Sequence, residues 1–113
     1  MGRVLQIRVS ASTFDEREVE DRWPGLCRLA FAELPEGAAR GVLELVEHLA
    51  DRQRIGLLPD DAAEALGEKA RRAAALKSEL EEALADWDAR KANGLSERLE
   101  DLLDDLEKSA KMV

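Results

Sequence analysis

Two stripes of apolar residues, each with the spacing of an α-helix, occupy the second half of the chain. The first stripe consists of Ala62, Leu66, Ala73, Leu76, Leu80, Ala83, Leu84 and Trp87, and the second of Leu95, Leu99, Leu102, Leu103, Leu106 and Ala110. On one straight helix the second stripe would be rotated by roughly 90° from the first, so the two could not pack on the same neighbour. We therefore predict a helical hairpin over residues 60–110, broken at Asn93-Gly94, where glycine tolerates a positive φ.

The N-terminal segment has the pattern of a β-strand. Leu5, Ile7 and Val9 alternate with polar residues, which is the period of a half-buried strand, and the pattern covers Val4–Ala11. A lone strand leaves its backbone donors and acceptors unpaired. We therefore expect this strand to pair with the same strand of a second copy or with another protein.

Two further segments complete the fold prediction. Residues 26–34 fit a helix or a second strand, and their leucine, arginine, alanine and glutamate content favours the helix. Apolar spacing predicts a clearer helix over residues 38–54. The prediction is a single, mainly α domain over residues 1–113. It is a helical bundle with a C-terminal αα-hairpin and one N-terminal β-strand. Residues 1–34 contain this strand and short helices. The alternative is an α+β fold with a small β-α-β unit at residues 4–34.

The length of the first hairpin helix poses a packing problem. Unbroken from Asp60 to Ala92, it would span about 48 Å, whereas a globule of this size is only about 35 Å across. We expect the helix to overhang, to bend at Gly67, or to be covered by a second subunit. The apolar residues are also small, with 18 alanines and 18 leucines against six Trp, Phe and Met residues. A core of this kind is thin, which favours self-association.

The net charge of −8 argues against two classes of partner. An acidic surface repels nucleic-acid phosphates and anionic membranes, so neither is an expected partner. Residues 58–113 alone carry 9 basic and 15 acidic side chains. No apolar run is long enough to span a membrane, and the N-terminus lacks the apolar region of a signal peptide. The expected location is the cytoplasm.

Groups that could carry catalysis are few. Glu79 with Glu82, Glu97 with Glu100 and Asp101 with Asp104 superficially resemble the paired acids of all-α nucleotide pyrophosphatases, which depend on a metal ion. On the helical wheel the pairs face outward on separate helices, and ligands of Mg²⁺ must converge. Cys27 excludes an internal disulfide because it is the only cysteine, and its spacing from His48 indicates no catalytic dyad.

These patterns favour a non-enzymatic interaction or assembly protein. We expect no catalytic, metal or cofactor-binding residues, and a partner that is a second copy (a homodimer) or another protein. The alternatives are an all-α metal-dependent nucleotide hydrolase and an acidic decoy that binds a basic nucleic-acid-binding protein. The predicted interface consists of Leu5, Ile7, Val9, Trp87, Leu95, Leu99, Leu102 and Leu106.

Overall fold

A computed structural model describes residues 5–7, 11–13 and 15–111 of the chain. Within these residues the protein is mainly α, as predicted. The helices are α1 (Glu16–Arg22), α2 (Pro24–Ala30), α3 (Val42–Arg54), α4 (Asp60–Ala85) and α5 (Ala89–Lys111). They enclose one core of leucine, valine and alanine side chains to which Trp23 adds the largest ring. Helices α4 and α5 form the central hairpin, α3 packs on α4, and α2 packs on α3 and α5.

Two short strands precede the helices. The backbone of Leu5–Ile7 (β1) pairs antiparallel with Ala11–Thr13 (β2), with Leu5 opposite Thr13. β1 lies against α5 and β2 against α3. Val4 and residues 8–10 of the predicted strand lie outside the described residues. Because β1 pairs with β2 in the same chain, it is not a lone strand, and its pairing with another molecule stays a prediction.

The hairpin breaks at a different place from the one predicted. Helix α4 ends at Ala85, α5 begins at Ala89, and Asn93 and Gly94 lie inside α5. The carboxylate of Asp88 accepts a hydrogen bond from the Lys91 N–H at 3.1 Å, so an aspartate provides the N-cap of α5. Gly94 has open space where a side chain would be, and an exposed helical glycine costs only about 1 kcal/mol. The local capping interactions outweigh the turn preference of Asn-Gly.

This earlier break also removes the predicted overhang. Helix α4 has 26 residues, which corresponds to about 39 Å, and the longest dimension of the molecule is 39 Å. The helix does not end or restart at Gly67. Gly67 is buried at the contact with α3, where an added Cβ would lie 3.4 Å from the amide nitrogen of Gln53. An added Cβ would make ordinary van der Waals contact with Gln53, and α4 is one continuous helix through this position.

The other helix boundaries differ by a few residues from the predicted ones. The ambiguous segment is helical through Ala30, and its last residues form a turn. Helix α3 begins at Val42 rather than at residue 38, because the Glu44 carboxylate accepts a hydrogen bond from the Gly41 N–H at 3.0 Å and caps the helix there. Neither difference changes the fold class.

Candidate interaction surfaces

Half of the predicted interface, four of its eight residues, is buried inside the chain. The leucines on the inner face of α5 belong to the core, and these are Leu95, Leu99, Leu102 and Leu106. They pack within the α4–α5 hairpin and the helices around it, so their side chains are already buried in the single chain, and their contact with a partner stays a prediction. The side chains of Leu5 and Ile7, and the whole of Val9, lie outside the described residues. Trp87 is the remaining predicted interface residue.

Trp87 is 76% exposed, the highest value among the large apolar residues that the structure describes. It follows the last residues of α4, where its N–H donates to the Leu84 carbonyl at 3.1 Å and the Asp88 N–H donates to the Ala83 carbonyl at 2.8 Å. This pair of bonds is a Schellman motif, whose αL position usually holds glycine. Trp87 holds that position with a φ of 59°.

The connector between α3 and α4 contains the same motif with the usual residue. Gly56 occupies the αL position with a φ of 76°. The Leu57 N–H donates to the Arg52 carbonyl at 2.8 Å, and the Gly56 N–H donates to the Gln53 carbonyl at 3.3 Å. Ile55 and Leu57 are 60% and 52% exposed beside it. Since these residues precede α4 and Trp87 follows it, exposed apolar side chains occur at both ends of the longest helix.

Acidic residues of α5 hold α1 in place. Arg22, at the end of α1, donates to both carboxylate oxygens of Asp104, at 3.0 and 2.8 Å, and to Glu100 at 3.1 Å. The indole N–H of Trp23 donates to Asp104 at 2.9 Å, and the Arg22 guanidinium lies 4.9 Å from the Trp23 ring centroid. The hydrogen bonding of the Arg22 guanidinium to the Asp104 carboxylate is the largest of the interactions that raise the pKa of Arg22 above its ordinary value. Glu100 is only 2% exposed.

Glu107 caps helix α2 from another part of the chain. Trp23 provides no side-chain cap for α2, and Pro24 has no N–H. The Glu107 carboxylate instead accepts hydrogen bonds from the Gly25 N–H at 3.1 Å and the Leu26 N–H at 2.9 Å. A side chain at Gly25 would place its Cβ 2.8 Å from a carboxylate oxygen of Glu107, so that the carboxylate would have to move from its capping position.

These contacts correct the expectation of an outward orientation for Glu100 and Asp104, whereas Glu97 and Asp101 are exposed. Glu100, Asp104 and Glu107 all point toward α1 and α2, where they bind a guanidinium, an indole N–H and backbone N–H groups. Their spacing of four and then three residues, which places them on one face of a helix, was the sequence signal for this cluster. Their partners are about 80 positions away in the sequence, and no local pattern indicates them.

A pocket of about 380 Å³ lies between α1, α2 and the loop that follows α2. It is lined by Pro24, Cys27 and Phe31, and by the charged residues Glu16, Arg17, Glu20, Arg28 and Arg40. The Arg40 guanidinium donates to the carbonyls of Leu34 and Pro35, and Arg17 forms an ion pair with Asp15. The side chain of Arg28 has no hydrogen bond or ion pair with the described residues. The pocket thus combines apolar and cationic groups.

The pocket does not have the chemistry of a nucleophilic site. Burial, with smaller contributions from Glu20 and Glu107, raises the pKa of the Cys27 thiol to about 12. The thiol donates weakly to the Val19 carbonyl at 3.8 Å, and His48 packs edge-on against Phe31 with ring centroids 5.8 Å apart. Cys27 is half-buried and protonated at neutral pH, as a structural cysteine would be.

We expect native Cys27 to be alkylated by iodoacetamide at pH 8 on the order of fiftyfold more slowly than in the urea-unfolded chain. The pKa near 12, against an ordinary value of 9.0, lowers the thiolate fraction about a thousandfold, and the greater intrinsic nucleophilicity of a basic thiolate recovers part of this. Mass spectrometry of timed samples measures both rates. Equal rates in the two states would contradict a buried, protonated thiol.

The structure provides no metal site and no membrane span within the residues that it describes. No group of three or more His, Cys, Asp and Glu side chains in that part of the chain is arranged to hold a metal ion. Among the described helices, none combines the length and the apolar character needed to cross a membrane. No protein-family model matches the chain, and comparisons with curated proteins and with solved structures give no match.

Proposed function

We propose that this protein is a non-enzymatic assembly protein that self-associates, and that Trp87 is the principal contact residue. The observation that carries the proposal is an exposed indole at a backbone position that favours glycine. An αL conformation costs a residue with a side chain roughly 1–2 kcal/mol. Gly56 occupies the equivalent position at the end of α3, so the fold accommodates glycine in this motif.

Burial of Trp87 against a partner would more than offset that strain. A tryptophan buries about 150–250 Å², and apolar burial stabilises by about 25 cal/mol per Å², which corresponds to a few kcal/mol for one indole. Tryptophan is also among the residues that most often dominate the binding energy of protein interfaces. An exposed, strained tryptophan therefore has a physical rationale as a binding residue and none as a contributor to the stability of the monomer.

The chemical groups of the chain support this class of function over an enzyme. The Cys27 thiol is protonated at neutral pH, and His48 contacts an aromatic ring rather than a nucleophile. The metal-dependent hydrolase requires carboxylates that converge on a cation, whereas Glu100 and Asp104 bind Arg22. The acidic decoy requires exposed carboxylates, and on α5 these are provided by Glu97, Asp101 and Asp105 and not by the inward-directed cluster. Both remain alternatives, and cytoplasmic location remains a prediction from the sequence.

The Trp87→Gly variant separates the proposed binding role from a structural one. We expect it to raise the free energy of unfolding by about 1 kcal/mol, or the Tm by about 4 °C, because glycine relieves the αL strain. We also expect it to abolish the concentration-dependent association of the wild-type protein. Calorimetry measures the change in stability. Sedimentation velocity measures the association, over a concentration range of about 1–100 μM that is typical of the Kd of weak interfaces.

Trp87→Ala is the matched control, since it removes the indole but keeps a side chain at positive φ. It should lose association without the gain in stability. Wild-type protein that stays monomeric throughout the concentration series, or association that is unchanged in both variants, would contradict the proposal.

A further inference from the structure

The residues on either side of Trp87 give its surface a negative charge. Asp86 and Asp88 flank the indole, and both are exposed. One oxygen of Asp88 accepts the capping hydrogen bond from the Lys91 N–H, and the carboxylate retains further acceptor positions. The surface at this turn is therefore an apolar ring between two carboxylates. A complementary site needs an apolar cavity with cationic groups at its edge.

The pocket beside Cys27 has these properties. Pro24, Cys27 and Phe31 provide apolar and aromatic surface, and the volume of about 380 Å³ is within the range of cavities that hold small ligands. Arg17 and Arg28 line the same pocket, and both are exposed. With Arg40 they outnumber the two acids of the lining, Glu16 and Glu20, so the pocket has a net charge of +1 in a protein whose net charge is −8.

Arg28 is the strongest cationic contact that the pocket offers. Its guanidinium has no partner among the residues that the structure describes, whereas Arg40 is already bound to backbone carbonyls. A guanidinium can bind a carboxylate through two parallel hydrogen bonds, and such bonds are stronger than neutral ones. Arg28 can therefore bind an incoming aspartate without breaking an existing contact.

Trp87 cannot reach the pocket of its own chain. The start of α2, where Pro24 lines the pocket, is held by Glu107 of α5. Trp87 lies just before the start of α5 at Ala89, and the helix rises about 27 Å between Ala89 and Glu107. The two surfaces are near opposite ends of the same helix. An occupant with the chemistry of the Asp86-Trp87-Asp88 turn must come from another molecule.

We infer that the Asp86-Trp87-Asp88 turn of one copy inserts into the pocket of a second copy, with the indole against Phe31 and Pro24 and an aspartate paired with Arg28. This inference rests on the proposed function and names the surface that receives Trp87. The contact joins two different surfaces, so a pair of copies retains one free pocket, on the copy that inserts its turn, and one free turn, on the copy that receives it. Such contacts produce a closed ring or an open chain of copies rather than a symmetric dimer.

Two single variants and their mixture test the inference. Arg28→Glu removes the receiving charge and keeps Trp87, while Trp87→Ala removes the inserting ring and keeps the pocket. Alone, each should associate at least tenfold more weakly than the wild-type protein. Mixed in equal amounts, they should form a 1:1 heterodimer and nothing larger, because only one intact turn and one intact pocket remain. Sedimentation velocity measures the species in all three samples.

Fluorescence identifies the residue that becomes buried. In the mixture only the Arg28→Glu chain carries Trp87, and the Trp23 of both chains is already buried. Adding the Trp87→Ala chain should shift the tryptophan emission to shorter wavelength and reduce its quenching by acrylamide. Arg71→Glu, a charge reversal at an exposed position on α4, is the matched control and should associate like the wild type. Circular dichroism and the Tm establish that every variant is folded.

The outcomes distinguish the inference from the proposal on which it rests. If Arg28→Glu associates as strongly as the wild type and Trp87→Ala does not, the inference about the pocket is overturned, and the proposed role of Trp87 as a contact residue is kept. If neither variant associates alone and their mixture also stays monomeric, the turn of one variant does not bind the pocket of the other. That result would overturn the inference and favour a symmetric contact. If the wild-type protein does not associate at all, both the inference and the proposed function fail.

Discussion

Replacement of Glu107 with alanine should lower the free energy of unfolding by about 3 kcal/mol. The Glu107 carboxylate accepts the N–H groups of Gly25 and Leu26 at the start of α2 and is 4% exposed. Alanine leaves both donors without an acceptor in a buried place, and each such group costs about 1–3 kcal/mol. In a domain of this size the expected decrease of the Tm is about 10 °C or more.

Urea unfolding of Glu107→Ala beside Asp105→Ala measures this effect. Asp105 lies two positions earlier on α5 with an exposed side chain, so its removal should change stability by no more than about 0.5 kcal/mol. Amide hydrogen exchange adds a local readout, because the Gly25 and Leu26 N–H groups should lose protection before the rest of α2. Equal effects of the two substitutions would contradict the capping role of Glu107.

The second large effect should come from Arg22→Ala, with a loss of about 3 kcal/mol. Arg22 contacts the buried Glu100 carboxylate, binds Asp104 through two hydrogen bonds and lies over the Trp23 ring. Breaking a buried pair by removing one partner is costly because the remaining charge loses its counter-ion in a poorly solvated place. Arg22→Lys should recover only part of the loss, since an ammonium cannot form the paired contact with Asp104.

A double-mutant cycle tests the origin of the Arg22 effect. In a Glu100→Gln background, Arg22→Ala should cost at least 1 kcal/mol less than in the wild type, because glutamine carries no charge that needs the guanidinium. Arg98→Ala, at an exposed position on α5, is the control for loss of an arginine side chain. Strictly additive losses for Arg22 and Glu100 would show that the pair is not coupled.

The mainly α class was predictable because core burial sets the spacing of apolar residues. The buried leucines of α5 recur every three or four positions, and this period survives in the sequence whatever their partner is. Residues 42–54 are helical for the same reason. The position of the hairpin turn was not predictable in this way, because Trp87 fits the apolar stripe of α4 by angle although it lies beyond the end of that helix.

The hairpin turn was predicted at Asn93-Gly94 but lies at Asp86–Asp88, because two local signals in the sequence compete. Glycine after a helix is a common stop, but a helix also needs an N-cap, and Asp88 provides one six positions before Gly94. A side-chain cap also marks the start of α1, where the carboxylate of Asp15 accepts the Arg17 N–H at 3.0 Å.

The candidate surfaces were predictable only in part. Trp87 entered the predicted interface as an apolar residue at the end of a stripe, and the structure adds its positive φ and its exposure. The pocket could not be predicted, because Arg28 and Phe31 come together with Arg40 through the loop between α2 and α3. A helical wheel also assigns every carboxylate outside the stripe to solvent, so it could not identify the buried role of Glu100.

The contacts that hold α1 and α2 have a consequence for synthesis of the protein on the ribosome. Arg22 and Gly25 bind side chains 78–82 positions later in the chain. While the chain is being made, the first two helices emerge long before Asp104 and Glu107 have been translated. Until then the Gly25 and Leu26 N–H groups and the Arg22 guanidinium interact with water instead of with α5. Docking of the N-terminal helices is therefore delayed until the distal part of α5 has left the exit tunnel.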